Sequence, residues 1–311
     1  HTIDLLLKEG NEVKILDNLE LPTHRNGIPR YLPKEAKMLI GDVGNGRTLN
    51  RALKGTDAIL HLAATGGFTP DIGRYFSANS LGTARLLEVI TDKGYPIEKI
   101  VVASSVAVYG EGKYRCSHHG IVYPKVRPVS QLEKGEWEHK CPCCHTILEP
   151  MPIDEFTLVR PENPYSISKF DQERLVLNWG RFNAIPVVAL RYFVTYGPRQ
   201  SIFNPYTGVV SIFSTRILND KPPVVFEDGF QTRDFVYVED VARANLLALK
   251  SEKANFEVFN VGTGKSVRLL DVASTLIKLY GRDLDPYIGG EFRPGDVRHA
   301  VASIENICRI G

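Results

Sequence analysis

A tyrosine set four residues ahead of a lysine, Tyr165-Ser166-Ile167-Ser168-Lys169, is the pairing in this sequence with the most chemistry in it. On a helix the two side chains share one face. An ammonium beside a phenol favours the phenolate and lowers its pKa, which makes a base usable near neutral pH, and the same ammonium can bind a ribose. The spacing recurs at Tyr95…Lys99 and Tyr109…Lys113. Pro96 follows the first tyrosine and that pair runs into a strand pattern, while Gly110 and Gly112 break any helix across the second. Only Tyr165…Lys169 continues into a helical pattern, opened by Pro161-Glu-Asn-Pro164. A serine hydroxyl at the neighbouring strand end, in Ser104-Ser105-Val106-Ala107-Val108-Tyr109-Gly110, can hydrogen-bond a reacting oxygen.

A strand ending in Asp17-Asn18 offers a carboxylate that can accept hydrogen bonds from both hydroxyls of an adenosine ribose. It would repel the extra phosphate of NADP, so NAD is the expected cofactor. Gly41-Asp42-Val43 can set Asp42 against the adenine amino group, and His61-Leu62-Ala63-Ala64 supplies small residues where backbone must approach a cofactor. Each motif alone is common as a turn or cap, and it is their order along the chain that carries the reading.

Four of the five cysteines fall in one stretch. Cys116-Ser-His-His119 and Cys141-Pro-Cys143-Cys144 have the spacing of two zinc knuckles. They predict a tetrahedral site of Cys116, His119, Cys141 and Cys144, with Cys143 or His118 able to replace one ligand. Zinc there would be structural, stapling a loop too poor in apolar residues to fold alone. Free or disulfide-bonded thiols are the alternative, although cytoplasmic chains seldom keep disulfides.

These residues need a scaffold. Through the first hundred residues short β-branched runs alternate with amphipathic stretches, predicting strands over 12–16, 36–40, 58–62, 99–103 and 186–190. Helices are expected over 3–9, 48–53, 73–91 and 165–182, then over 209–218, 238–250 and 269–280 in a region richer in Pro and Gly. The pattern is that of an α/β chain with a Rossmann-type doubly wound parallel sheet and a smaller C-terminal substrate lobe. The division expected is a NAD-binding domain over 1–195, interrupted by a cysteine-rich insertion at about 111–152, and a mainly substrate-binding lobe over 196–311. No G-x-G-x-x-G precedes Asp17, and residues 1–10 read as the helix that should follow such a loop. The expectation is that the first strand and its glycine loop lie upstream and that these 311 residues are a fragment of a longer chain, or that something replaces the strand. Without it two neighbouring strands would stand unpaired and a pyrophosphate would lack its helix N-terminus.

A formal net charge of +2 and a pI near 8.2 give no basic stripe to attract nucleic acid, and no apolar run is long enough to span a bilayer. Neither nucleic acid nor membrane is an expected partner. The opening run His1-Thr-Ile-Asp-Leu-Leu-Leu-Lys8 carries charge and lacks a small-residue cleavage site, so a cytoplasmic location is the expectation.

Taken in order, Asp17-Asn18, Gly41-Asp42, His61-Leu-Ala-Ala64, Ser104-Ser105…Tyr109-Gly110, Pro164-Tyr165…Ser168-Lys169, Leu190-Arg-Tyr-Phe193…Tyr196-Gly-Pro-Arg199, Arg233-Asp-Phe235, Asn260-Val-Gly-Thr-Gly264 and Arg293-Pro-Gly-Asp296-Val-Arg298 resemble the extended short-chain dehydrogenase/reductase family. Within that family they resemble the NAD-dependent nucleotide-sugar epimerases and dehydratases, over nearly the whole chain. The resemblance implies a catalytic trio of Ser105, Tyr165 and Lys169, with Tyr165 taking the C4 hydroxyl proton while hydride passes to NAD. It implies further cofactor contacts at Val43, Leu62, Ala63, Ala64, Asn79, Ser104 and Tyr192, and substrate contacts at Asn204, Arg233 and Arg298. Guanidinium forks do suit pyrophosphate oxygens, with surface ion pairing as the plainer alternative for both arginines.

The family's 4,6-dehydratases carry an Asp-Glu pair after the active-site serine or threonine, where this chain has Val106-Ala107. A 4-epimerase acting on a UDP- or dTDP-hexose through a 4-keto sugar is therefore expected. Val194 stands where many epimerases have an asparagine, and Ala302-Ser303 where an aspartate is common. Ser105 and Tyr165 lie 60 residues apart, a wider gap than is usual, which marks the insertion. A similar cysteine-bearing insertion, with Asn204-Pro-Tyr-Thr-Gly208 and Phe226-Glu-Asp-Gly229, resembles a branch of the family that includes dTDP-L-rhamnose 4-epimerases. A homodimer built on two helices, one of them 165–182, is also implied. The alternatives are a nucleotide-sugar reductase or dehydrogenase, which Asp17 opposes by disfavouring NADPH, and an inactive binding module, which the intact trio opposes.

Overall fold

The computed structural model describes residues 1–21, 23–66, 71–203 and 208–311. Its centre is β4 (Lys99–Ser105), buried along its whole length. Ile100 and Val102 of this strand point to one side of the sheet and Val101 to the other, as the two-residue period of a strand requires. β3 (Ala58–His61) and β8 (Val187–Tyr192) flank β4 in parallel, and β13 (Val258–Val261) pairs with the outer edge of β8. A second parallel pair joins β1 (Lys14–Asp17) to β2 (Lys37–Ile40). Among the described residues β1 pairs only with β2, and β3 only with β4.

Helices cover both faces. On one, α2 (Gly46–Leu53), α4 (Gly82–Lys93) and α6 (Pro164–Asn183) bring Leu49, Leu86, Ile90, Val176 and Leu177 onto Ile100, Val102 and Val187. On the other, α8 (Val238–Lys250) sets Val241, Ala244 and Ala248 against Val101, Val188 and Leu190, with Ile307 of α10 (Glu305–Cys308) beside them. α1 (Thr2–Lys8) lies on α8. An α/β sandwich around a parallel sheet follows, as the periodicity predicts. No helix among the described residues is long and apolar enough to cross a membrane.

Two expected features come out differently. The helix read over 73–91 is three pieces: α3 (Ile72–Tyr75), a π-helical turn over Phe76–Leu81, and α4. The wider turn lets the side chain of Asn79 reach inward, where it is fully buried. The chain also crosses the expected boundary at 195/196 more than once, because α8 and β13 belong to the parallel sheet's own layers. The remaining second lobe consists of short pairs: β9 (Val194–Tyr196) with β12 (Phe235–Tyr237), β10 (Val224–Val225) with β15 (Tyr287–Ile288), and β11 (Thr232–Arg233) between β14 (Val267–Arg268) and β16 (His299–Ala300). α7 (Val209–Leu218) and α9 (Leu269–Leu279) close over them through Phe213, Ile217, Leu269 and Ala273.

Between β4 and α6 the cysteine-rich stretch forms an antiparallel sheet of β5 (Tyr114–Cys116), β6 (Gly120–Val122) and β7 (Glu149–Pro150), with α5 (Val129–Leu132) alongside in sequence. Its own apolar cluster is small: Tyr114, Cys116, Cys141 and Leu148, with Val122 and Cys144 against them.

Candidate active site

The start of α6 fixes Tyr165. Asn163 is the N-cap and accepts from the Ser166 amide at 2.8 Å, the Ser166 hydroxyl accepts from the Asn163 amide at 3.0 Å, and Pro164 occupies the first turn. This capping box sets Tyr165 one residue inside the helix, partly buried against the edge of the Tyr75 ring, with centroids 6.1 Å apart. Ser105, the last residue of β4, lies close enough to Tyr165 for its hydroxyl to favour the phenolate. One turn on, Lys169 is 3% exposed and donates to Gln172 Oε1 at 2.6 Å. The three residues of the expected trio therefore converge at the carboxyl end of the central strand, where α/β sheets hold their ligands.

The electrostatics of this arrangement correct one expectation. Burial raises the Tyr165 phenol above its ordinary value, and the Ser105 hydroxyl opposes this only in part. Burial also pushes Lys169 down to about 7, with Glu173 opposing. Lys169 thus does not lower the phenol here. Desolvation raises the phenol and lowers the ammonium, so burial favours the uncharged form of each. Nearby His61 is pushed down to about 4 by burial and then by Lys169, which keeps it neutral at physiological pH. His61 Nε2 is paired with the Thr83 hydroxyl at 2.8 Å, and the Gln172 amide reaches both.

On the adenosine side, the parallel register of β1 and β2 sets Asp17 opposite Ile40, so the residues just after both strands meet. Asn18 Nδ2 donates to Asp42 Oδ2 at 2.9 Å, while Asp17 Oδ1 accepts from the Leu19 amide at 2.7 Å. Val43 packs toward Gly82 of α4. Leu62, Ala63 and Ala64 follow β3 and lead to Thr65, whose amide and carbonyl are both held by Asn79, at 2.7 and 3.0 Å. Asn79 also donates to Ser168 at 2.8 Å, so its amide braces the loop that follows Leu62, Ala63 and Ala64. Ser104 donates to Glu173 at 2.6 Å, and the Tyr192 hydroxyl is taken by Asn245.

Arg233 and Arg298 come together at one end of the second lobe. Arg233 is 13% exposed on its side chain and donates to Asp296 at 2.9 Å. Arg298 is 1% exposed, and its donors face Glu138, Glu227 and Asp228. Burial would favour the neutral acid at Glu138, yet hydrogen bonds from His299 and Arg298 hold it at about 2. Of the two arginines expected to meet a diphosphate, only Arg233 retains an open side. Asn204, the other expected substrate contact, lies outside the described residues.

With this geometry in place, known proteins fall into line with it. The model of the NAD dependent epimerase/dehydratase family matches residues 1–130 and 145–262. The chain belongs to that family. A dTDP-L-rhamnose 4-epimerase from Burkholderia thailandensis is 34% identical over 98% of this chain and 85% of its own. A putative UDP-glucose 4-epimerase from Methanocaldococcus jannaschii is 32% identical over 85% of this chain and 73% of its own. Among solved structures, UDP-glucose 4-epimerase from Thermotoga maritima with UDP-glucose superposes with a TM-score of 0.80 at 27% identity, covering 99% of this chain and 87% of that one. UDP-glucuronic acid 4-epimerase from Bacillus cereus, solved with UDP-glucuronic acid and NAD, reaches 0.79 at 27%, covering 100% and 88%. The protein is an enzyme of the NAD-dependent sugar-nucleotide epimerase kind.

In this epimerase a buried network under the site went unread in the sequence. Glu173 of α6 takes Arg191 Nε at 2.9 Å together with its Nη2, and Arg191 Nη1 donates to the Tyr109 hydroxyl at 2.7 Å. Tyr109 in turn donates to Asn260 at 2.8 Å. Ser104 completes the chain from β4. The signal was present in the quoted Tyr109-Gly110, Leu190-Arg191 and Asn260 motifs, but Glu173 reads as any polar helix position. Asp234 is a second case. Fully buried, it accepts from the Thr263 and Gly264 amides and from Ala302, so the residue after Arg233 holds the Asn260–Gly264 turn.

Proposed function

We propose that the enzyme inverts C4 of a UDP- or dTDP-hexose through a 4-keto sugar. The observation that carries this is the convergence of Ser105, at the carboxyl end of β4, on Tyr165, with Lys169 buried one turn away on the same helix. Asp17, Asn18 and Asp42 would hold the adenosine end of NAD, a fit supported by their convergence at the ends of two parallel strands. Leu62, Ala63 and Ala64, braced by Asn79 through Thr65, would line its path. Bound NAD supplies the hydride acceptor and a positive charge.

The chain's own residues handle the proton. Tyr165 Oη takes it from the C4 hydroxyl, Ser105 Oγ hydrogen-bonds the same oxygen as it becomes a carbonyl, and Lys169 holds charge one turn away. Burial raises the Tyr165 phenol and lowers Lys169 to about 7, so the positive charge of a bound cofactor would favour the phenolate. Arg233 would meet the diphosphate directly, and Arg298 only if Asp228 or Glu138 yields its place.

The second copy of a homodimer would sit on the groove of about 680 Å³ between α4 and α6. Leu87, Leu175 and Trp179 floor it, and Glu88, Asp92 and Arg174 rim it with both signs of charge, as a two-fold contact needs. A cytoplasmic location suits a nucleotide-sugar substrate.

The test is the chain with NAD and a panel of UDP- and dTDP-hexoses, C4 configuration being followed by NMR. Inversion that disappears in Tyr165→Phe supports the reading and names the sugar. Steady consumption of NADH or NADPH with a keto sugar, without inversion, points to a reductase instead.

A further inference from the structure

Outside the catalytic centre the four knuckle residues meet. Their candidate ligand atoms all lie within 4.8 Å of one another. Cys116 Sγ is 3.5 Å from His119 Nδ1 and 3.5 Å from Cys144 Sγ, and Cys141 Sγ is 3.6 Å from His119 Nδ1. A tetrahedral ion with bonds of about 2.3 Å to sulfur and about 2.05 Å to nitrogen places S···N edges at roughly 3.5 Å and S···S edges at roughly 3.8 Å. A disulfide needs sulfurs at about 2.05 Å, so the spacing fits an ion and not a bridge. Cys143 and His118 are exposed and outside the cluster, which removes the alternative ligands left open by the sequence.

The turns are shaped for the purpose. Gly120 takes a φ of +71° immediately after His119, and His145 takes +58° immediately after Cys144, closing each knuckle on itself. The local core needs the help, because three of its six members are the cysteines themselves.

What the cluster holds is the end of the second lobe. Cys141 follows Glu138 and His139 by three and two residues. Glu138 accepts from Arg298 Nε at 2.9 Å and pairs with His299 at 3.1 Å. His139 pairs with Glu111 at 2.9 Å, stands edge-on to Tyr114 at 4.9 Å, and its carbonyl accepts from the Leu148 amide at 2.8 Å. Residues 131–144, which carry Glu138, His139, Cys141 and Cys144, lie in the gap between the two segments that the family model matches. One wall around Arg298 is therefore built from residues between the two segments that the family model matches.

We propose that Cys116, His119, Cys141 and Cys144 bind one zinc ion, and that this centre keeps Glu138 and His139 seated against the Arg298 cluster. The metal is structural, and Glu138 is a positioning residue acting through Arg298. Neither statement depends on which sugar is turned over.

The full chain, purified without added metal, is measured by elemental mass spectrometry, and cobalt is exchanged into the site. One zinc per chain and a thiolate-to-cobalt charge-transfer band are expected, both retained in Cys143→Ser and His118→Ala and both lost in Cys141→Ser/Cys144→Ser. Absence of stoichiometric zinc together with absence of the band overturns the site. Hydrogen exchange then tests the coupling. Removing zinc from the wild-type chain with a chelator is expected to speed exchange over 294–300 on the order of tenfold and to leave 99–105 within about twofold, with cobalt restoring protection. Glu138→Gln is expected to keep its zinc and to reproduce faster exchange over 294–300. Unchanged exchange there after metal removal, or in Glu138→Gln, overturns the positioning role even if the metal is present, and needs no variant that risks misfolding.

Discussion

Lys169 shows how function and stability pull apart at a single side chain. Its ordinary pKa near 10.5 falls to about 7 on burial. A cation whose folded pKa is depressed opposes folding fully below the folded value. That cost fades between about 7 and 10.5 as the unfolded chain also loses its proton, so the group makes stability rise with pH across that window. Lys169→Met is accordingly expected to abolish turnover while raising the thermal midpoint at pH 6, with the gain shrinking toward pH 10. Thermal melts at the two pH values check this, and a gain that grows with pH would show the sign to be wrong. The Glu173–Arg191 pair behaves oppositely. Truncating Glu173→Ala strands a buried guanidinium and is expected to cost about 3–5 kcal/mol in urea denaturation. At this scale the sequence was readable where chemistry imposes a spacing, as in Tyr165…Lys169 or the two cysteine pairs. It was silent where partners are distant, since nothing local marks Glu173 as buried or gives Arg298 three carboxylates.

Elements place these residues by their ends. The Asn163 capping box sets where α6 begins, and hence where Tyr165 stands relative to Ser105. Asn163→Ala is expected to destabilise the protein by about 1 kcal/mol. It should also lower kcat more than it raises KM, because the loosened turn carries the base, and steady-state kinetics beside a urea titration separate the two effects. The π-helical turn at Phe76–Leu81 was not legible, because its apolar spacing is close to that of an α-helix and only the inward swing of Asn79 gives it away. Strands were readable as buried β-branched runs, though β4 extends to Ser105, two residues beyond its expected end. Ser104 and Ser105 are thus strand residues with fixed directions, one toward Glu173 and one toward Tyr165.

At the scale of the whole molecule, the alternation of strands and helices was enough to give the α/β layers, and the division into two lobes was harder to read. A linear boundary cannot express a chain that returns from the second lobe to add α8 and β13 to the first. Association belongs at this scale too. Leu175→Glu on the groove between α4 and α6 is expected to convert a dimer to monomer in light scattering, with far-UV circular dichroism unchanged. A wild-type chain that is monomeric at every concentration would dispose of the dimer.

The segment from β4 to α6 leaves from Ser105 and comes back at Tyr165, and on the way it is fastened to the other lobe at several points. Arg127 is buried in a two-pronged pair with Glu227, Glu138 grips Arg298, and Ile153 bridges Ala302. Mechanically this is a loop of cord whose two ends are tied at Ser105 and Tyr165 and whose middle is lashed to the second lobe. One stretch of chain thus joins the carboxyl end of the parallel sheet to the second lobe, so a substitution that frees Arg127 from Glu227 or Glu138 from Arg298 loosens a segment continuous with both Ser105 and Tyr165.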